Sequence, residues 1–240
     1  MMIQLSKRLE AIARMVTPGN RLVDVGCDHG YLPIALTLRK IIPSAIAMDV
    51  RPGPLERARE NVSAYGLNPY IETRLSDGLK ALEPGEGDSL SIAGMGGPLM
   101  ERILTENLEV SRSFREMILQ PQSEVCRFRK FLLTEGFGII QEDMVLEDGK
   151  YYFIVKAVPS KKRDQEEYRD IDYQYGKLLL QRKDPVLYRF LEREYEKNEE
   201  IGRRLQERGT EAAKNRLTEL LEERQRIESA MKEYENQRSD

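Results

Sequence analysis

Residues 21–30 read Arg-Leu-Val-Asp-Val-Gly-Cys-Asp-His-Gly, a strand running into a glycine-containing turn. Leu22, Val23 and Val25 form a short apolar run bounded by Asn20 and by a glycine-containing turn, as in a strand buried on both faces. A helix follows from about Tyr31 to Lys40, and the same unit then recurs. Residues 44–50 (SAIAMDV) make a second strand, followed by an amphipathic helix over 55–66 that Gly66 stops. Residues 70–78 make a third strand. Residues 88–97 make a fourth, with a helix near 98–108, and residues 115–122 a fifth, with a helix over 126–136 capped by Gly136. Residues 137–159 read as two last strands around Glu147-Asp148-Gly149-Lys150, a hairpin signal. Upstream, Leu5, Leu9, Ile12 and Val16 fall at helical spacing until Pro18-Gly19-Asn20 breaks the pattern. Repeated strand–helix alternation closed by a hairpin predicts an α/β fold. It is a Rossmann-like, doubly wound, mostly parallel sheet with right-handed crossovers and an antiparallel edge strand.

Charge divides the chain. Residues 161–240 hold 19 Lys+Arg and 20 Asp+Glu, so about half of that stretch is charged; residues 1–160 hold 19 and 21. Only the first part can bury a two-sided core. We therefore expect a Rossmann-like domain over 1–160 and a helical linker with a coiled-coil hairpin over 161–240. In the tail, Pro185 opens a helix and Gly209-Thr210 interrupts it. Leu187, Leu191, Glu194, Asn198, Ile201 and Leu205 follow heptad spacing in the first arm. Ala213, Leu217, Leu220, Arg224, Ile227, Met231 and Tyr234 do so in the second. The short break favours an antiparallel α-helical hairpin, with Tyr168, Tyr173 and Tyr175 packing a linking helix onto the domain. Basic spots occur at Lys161-Lys162-Arg163, Arg203-Arg204, Lys214/Arg216 and Arg127/Arg129/Lys130.

No apolar run reaches the length of a signal peptide or a membrane-spanning helix, and two distant cysteines, Cys27 and Cys126, fit a reducing cytoplasm. The single histidine, His29, argues against His-based metal sites, and no metal is expected. The net charge of −3 means that a nucleic-acid partner would need local cations.

In a doubly wound sheet, ligands bind beyond the carboxyl ends of the strands, where the strand order reverses. After the first strand come Asp24, Gly26, Cys27, Asp28, His29 and Gly30, with Tyr31 and Leu32 opening the helix. A dinucleotide fingerprint would place glycine where Asp28 stands. An aspartate there repels a pyrophosphate but suits the sulfonium and amino groups of S-adenosylmethionine. After the second strand, Asp49 with Val50 can accept both ribose hydroxyl protons. After the third, Asp77-Gly78 can meet an adenine amino group. After the fourth, Gly94, Met95, Gly96 and Gly97 let backbone reach a ligand. Cys27 is read as a packing residue. Asp28 and His29 are the candidate catalytic residues on the substrate side. Two rival readings stay open: a small-molecule or protein methyltransferase with a dimerising hairpin, and a non-catalytic cofactor-binding adaptor.

DVGCDHGYLP (24–33), AGMGG (93–97) and LQPQ (119–122), with the opening LSKRLEAIA, resemble the bacterial TrmK family over essentially the whole chain. The resemblance implies a cytoplasmic tRNA methyltransferase that uses S-adenosylmethionine to methylate N1 of adenine 22 in the D-loop, by direct in-line attack of N1 on the methyl group. It implies tRNA as partner and no membrane. The glycine-rich loop after the fourth strand, in place of an Asn/Asp-Pro-Pro-aromatic loop, argues against methylation of an exocyclic amine.

Overall fold

A computed structural model describes residues 3–160, 168–208 and 210–235. The chain divides into two compact units, Met1–Asp164 and Gln165–Asp240.

The first unit runs α1 (Lys7–Met15), β1 (Leu22–Val25), α2 (Tyr31–Leu38), β2 (Ala45–Asp49), α3 (Pro52–Ala64), β3 (Ile71–Leu75), β4 (Ser89–Met95), α4 (Gly97–Glu106), α5 (Leu108–Ser113), β5 (Glu116–Pro121), α6 (Val125–Thr134), β6 (Phe137–Glu147) and β7 (Lys150–Pro159). The seven strands form one sheet in the order β3-β2-β1-β4-β5-β7-β6. Strands β1 to β5 are parallel, and β7 is antiparallel to both β5 and β6. The antiparallel strand expected at the edge therefore lies one place in, and β6 is the edge. Burial explains the placement. Phe153 to Ala157 of β7 are buried in succession, as in a strand covered on both faces, whereas β6 mixes buried and exposed positions. The short α5 has no counterpart in the sequence reading, because its six residues are too few to show a period.

Alternate residues of each strand serve opposite faces. Leu22, Ala45, Ala47 and Ile71 pack with Ile12, Leu36 and Val62 under α1 to α3. Val23, Val25, Met48 and Leu90 pack with Met100, Leu104, Phe128 and Leu132 under α4 and α6. The strand order reverses between β1 and β4, which opens a cleft at their carboxyl ends.

Beneath the opposite end lies a buried polar cluster. Glu116 of β5 pairs with Lys156 of β7 at 2.7 Å, and it accepts hydrogen bonds from the Thr17 backbone N–H (2.8 Å), the Thr17 hydroxyl (2.5 Å) and the Ser89 hydroxyl (2.7 Å). Lys156 Nζ also donates to the Met15 carbonyl at 2.7 Å, so the cluster fastens the end of α1 to the sheet. Burial by itself would raise the Glu116 pKa; the bonds from Lys156, Thr17 and Ser89 reverse this and hold it below the usual carboxylate value. Lys156→Met should leave a buried carboxylate uncompensated and destabilise the fold by about 3–5 kcal/mol. Denaturant unfolding checks this, and a loss below about 1 kcal/mol would refute it.

The second unit contains α7 (Asp170–Tyr175), α8 (Lys177–Gln181), α9 (Pro185–Arg208) and α10 (Glu211–Glu235). The linking segment is thus two short helices broken at Gly176 (φ 97°), and the Tyr168 and Tyr173 rings meet within it at 5.1 Å. The carboxylate of Asp184 caps α9 by accepting from the backbone N–H groups of Val186 (2.9 Å) and Leu187 (3.0 Å). Thr210 caps α10 by accepting from the Ala213 N–H at 3.2 Å. The arms run antiparallel: Tyr188 meets Tyr234, Tyr195 meets Arg224, Asn198 meets Glu223, and Gly202 faces Leu217. At 24 and 25 residues they reach roughly 36 Å. Leu187, Leu191, Leu220 and Ile227 are buried along the seam, together with Asn198, one of the polar interruptions in the heptads. No helix among the described residues is long and apolar enough to cross a membrane.

Candidate functional site

The cleft is built from strand ends. Gly26 (φ 77°) turns the chain out of β1, and the N–H groups of Gly26 and Cys27 both donate to the Met48 carbonyl of β2, at 2.8 and 3.0 Å. A Cβ at residue 26 would fall 2.4 Å from Met95 Cε, so the absence of a side chain here gives Met95 its place across the β1–β4 junction. Asp28 is left-handed (φ 45°) and Gly30 caps α2 with φ 68°. Asn61 of α3 secures this turn by donating to the His29 carbonyl at 2.9 Å, and Arg57 of α3 pairs with Asp28 at 3.0 Å. The sequence reading did not anticipate either anchor. The His29 ring stacks on Tyr31 with centroids 5.1 Å apart, and its Nε2 lies 3.6 Å from the Asp28 carboxylate.

Asp24 and Asp49, at the ends of adjacent strands, are both buried. Burial pushes the Asp24 pKa up to about 7; the Ser91 hydroxyl on β4 opposes that rise, and the charge of Asp49 adds to it. Asp49 Oδ1 accepts from the Arg51 N–H at 2.9 Å, while Oδ2 has no hydrogen bond to a described residue. The same burial, with Asp24 and Asp49 nearby, drives the Cys27 thiol far above its ordinary value, so it stays protonated and packs in the core as expected.

Other candidates separate into those that face the cleft and those already engaged. Leu32 is buried in the core under α2, so only its backbone can face a ligand. Val50 is exposed, as are Leu75 at the end of β3 and Leu99 in the first turn of α4; the last two carried no signal distinguishing them from core leucines. Asp77 is bound by Lys80 at 2.5 Å and by Arg102 at 3.5 Å, and the Lys80 bond holds its pKa below the usual value. Gly78 lies against Ile103. Of the glycines at the carboxyl end of β4 and just beyond it, Gly94 (φ 78°) faces the loop after β5 and donates its N–H to Gln120 Oε1 at 3.1 Å. A Cβ at Gly97 would lie 2.8 Å from the Ser123 carbonyl oxygen, so this glycine serves loop packing rather than ligand approach. The basic spot at 127–130 is partly interior: Arg129 is fully buried and bonded to Glu142 at 2.7 Å. Lys161-Lys162-Arg163 lies outside the described residues. Among the described residues, no group of three or more His, Cys, Asp or Glu side chains is arranged to hold a metal ion.

The site combines two buried carboxylates, glycine turns and exposed apolar side chains at the switch point of a seven-stranded sheet. That combination suits a cationic nucleoside. Comparison with known proteins agrees: residues 5–155 match the family described as "Methyltransferase domain". The tRNA (adenine(22)-N(1))-methyltransferase of Bacillus subtilis is 37% identical over 155 residues, a stretch spanning 65% of this chain and 65% of that protein. The crystal structure of the B. subtilis M1A22 tRNA methyltransferase TrmK superposes with a TM-score of 0.83 at 30% identity, covering 95% of this chain and 99% of that one. The Streptococcus pneumoniae protein Sp1610, crystallised with S-adenosyl-L-methionine, superposes with a TM-score of 0.83 at 35% identity, covering 95% and 100%. With both units matched and the switch-point site in place, the chain belongs to the methyltransferase-domain family and, within it, to the TrmK family.

Proposed function

We propose that this chain transfers the methyl group of S-adenosylmethionine to N1 of adenine 22 in the D-loop of tRNA. The cofactor half rests on one observation: Asp24 and Asp49 are buried side by side and repel each other. A ligand carrying a sulfonium, an ammonium and a ribose diol supplies the missing positive charge and donors together. The base half rests on the relatives' described activity.

When bound, S-adenosylmethionine supplies an electrophilic methyl group. Adenine N1 already carries a lone pair, so no residue has to remove a proton to create the nucleophile. The work left to the protein is alignment and stabilisation of the charge that develops on the base. N1 lies on the Watson–Crick edge, so the adenine must be unpaired or extruded. In this reading Asp24 faces the positive groups of the cofactor, and Asp49 Oδ2 accepts from the ribose. Val50, Leu75 and Leu99 flank the cofactor's nucleobase. Gly26, Gly30 and Gly94 keep backbone close, with Tyr31 and Met95 beside the reacting centre. Asp77 and Gly78 bound the adenine end, where Asp77 must give up part of its contact with Lys80 or Arg102 to accept an amino group. Asp28 and His29 occupy the substrate side.

Incubation with unmodified tRNA, followed by mass mapping of the product, tests the assignment, and methyl incorporation at any other site or none would overturn it. Asp28→Asn should slow single turnover by about tenfold, equivalent to about 1.4 kcal/mol, with tRNA affinity unchanged. Wild-type single-turnover rates in both this variant and His29→Ala would reduce the turn to a structural element.

A further inference from the structure

Arg8 stands apart from most arginines of the first unit. Arg21, Arg39, Arg57, Arg74 and Arg127 each meet a carboxylate. Arg8, half-buried in the first turn of α1, has no ion pair with any described residue. Its Nη1 donates instead to Gln120 Oε1 at 2.8 Å, and its guanidinium lies 5.4 Å from the centre of the Tyr152 ring. Gln120 is fully buried. Its Oε1 also accepts from the Gly94 N–H, and its Nε2 donates to the Pro121 carbonyl at 3.1 Å, so both ends of the amide are held. The anchor is rigid and neutral. A carboxylate at this position would cancel the guanidinium charge; an amide orients the group and leaves the charge in force. Only one of its five N–H donors is used by Gln120. The cluster sits where β4 and β5 end, and a Cβ on Gly94 would lie 3.4 Å from Arg8 Nη1.

We propose that Arg8 binds a backbone phosphate of the RNA next to the target adenine, with Gln120 as the residue that positions it. The inference rests on the tRNA reading above. The test uses the full chain and measures KM and kcat for unmodified tRNA at several salt concentrations, with cofactor affinity determined in parallel. Arg8→Gln should raise KM for tRNA by roughly 10- to 100-fold, the range of a charged hydrogen bond. It should make the salt dependence shallower by about one phosphate contact and leave cofactor affinity unchanged. Arg8→Lys should recover part of the loss, because charge returns without the planar fork. Gln120→Glu should mimic Arg8→Gln with the arginine still present; if that chain fails to fold, the two Arg8 variants decide alone. Wild-type methylation with an unchanged KM and salt slope in Arg8→Gln would overturn this inference alone, and so would a matching loss of cofactor affinity. Failure of the wild-type chain to methylate tRNA would overturn the substrate assignment and this inference together.

Discussion

Asp24→Asn will stabilise the ligand-free chain above pH 7 while weakening its hold on S-adenosylmethionine. Burial raises the Asp24 pKa to about 7, against an ordinary value near 3.8. Between those values the folded state binds a proton that the unfolded state has lost, so stability falls as pH rises through that window and levels off above it. Asparagine removes the ionisation. The gain at pH 8 should be on the order of 2–4 kcal/mol, read from denaturant midpoints of the two chains. The cofactor's positive charges favour the deprotonated carboxylate, so wild-type affinity should rise with pH up to about 7 and then flatten. The asparagine chain should bind about 10- to 100-fold more weakly at pH 8, the worth of a charged hydrogen bond, and without that slope. Calorimetric titration at pH 6 and pH 8 checks both parts. An identical pH slope in the two chains would mean that another group meets the charge.

Removal of the hairpin should separate the two binding functions. A chain ending at Pro159 retains both core clusters of the first unit and every strand of the sheet, so it should fold and bind S-adenosylmethionine almost as the full chain does. Its tRNA affinity should fall by about tenfold or more at physiological salt, with a shallower salt slope. The cations proposed to act lie at the hairpin tip. Arg204 pairs with Glu200, Lys214 with Glu211, and Arg216 with Glu219 and Glu223, while Arg203 has no carboxylate partner among the described residues. The pairs are exposed and screened by solvent, so a phosphate can displace them at little cost. Phosphate contacts of this kind position a substrate without reading its sequence. Changing Arg203 and Arg204 to Glu should weaken binding more mildly, with no loss of stability. Should the shortened chain methylate tRNA at the full rate at sub-saturating tRNA, the hairpin serves another partner.

Local pattern determined much of this protein. The apolar runs within 21–26 and 44–50, the helical spacing between them and the Asp148-Gly149 turn are properties of neighbouring residues, and they led to the alternating elements without knowledge of distant contacts. The rule that ligands meet strand ends then led to Asp24 and Asp49, because a strand's end is visible in sequence. Heptads revealed the hairpin for the same reason. The features that local pattern left open involve residues far apart in the chain. The place of β7 between β5 and β6 depends on which face of which strand is covered. Arg8 meets Gln120 across 112 positions only because α1 is fastened beside the sheet by Thr17 and Glu116. Gly97 looks in sequence like a residue that frees backbone for a ligand; in the fold it makes room for the Ser123 carbonyl. Arg129 looks like a surface cation and is buried against Glu142. A residue's type and spacing constrain its own backbone, whereas its partner, its burial and its charge state are set by what the whole sheet brings against it.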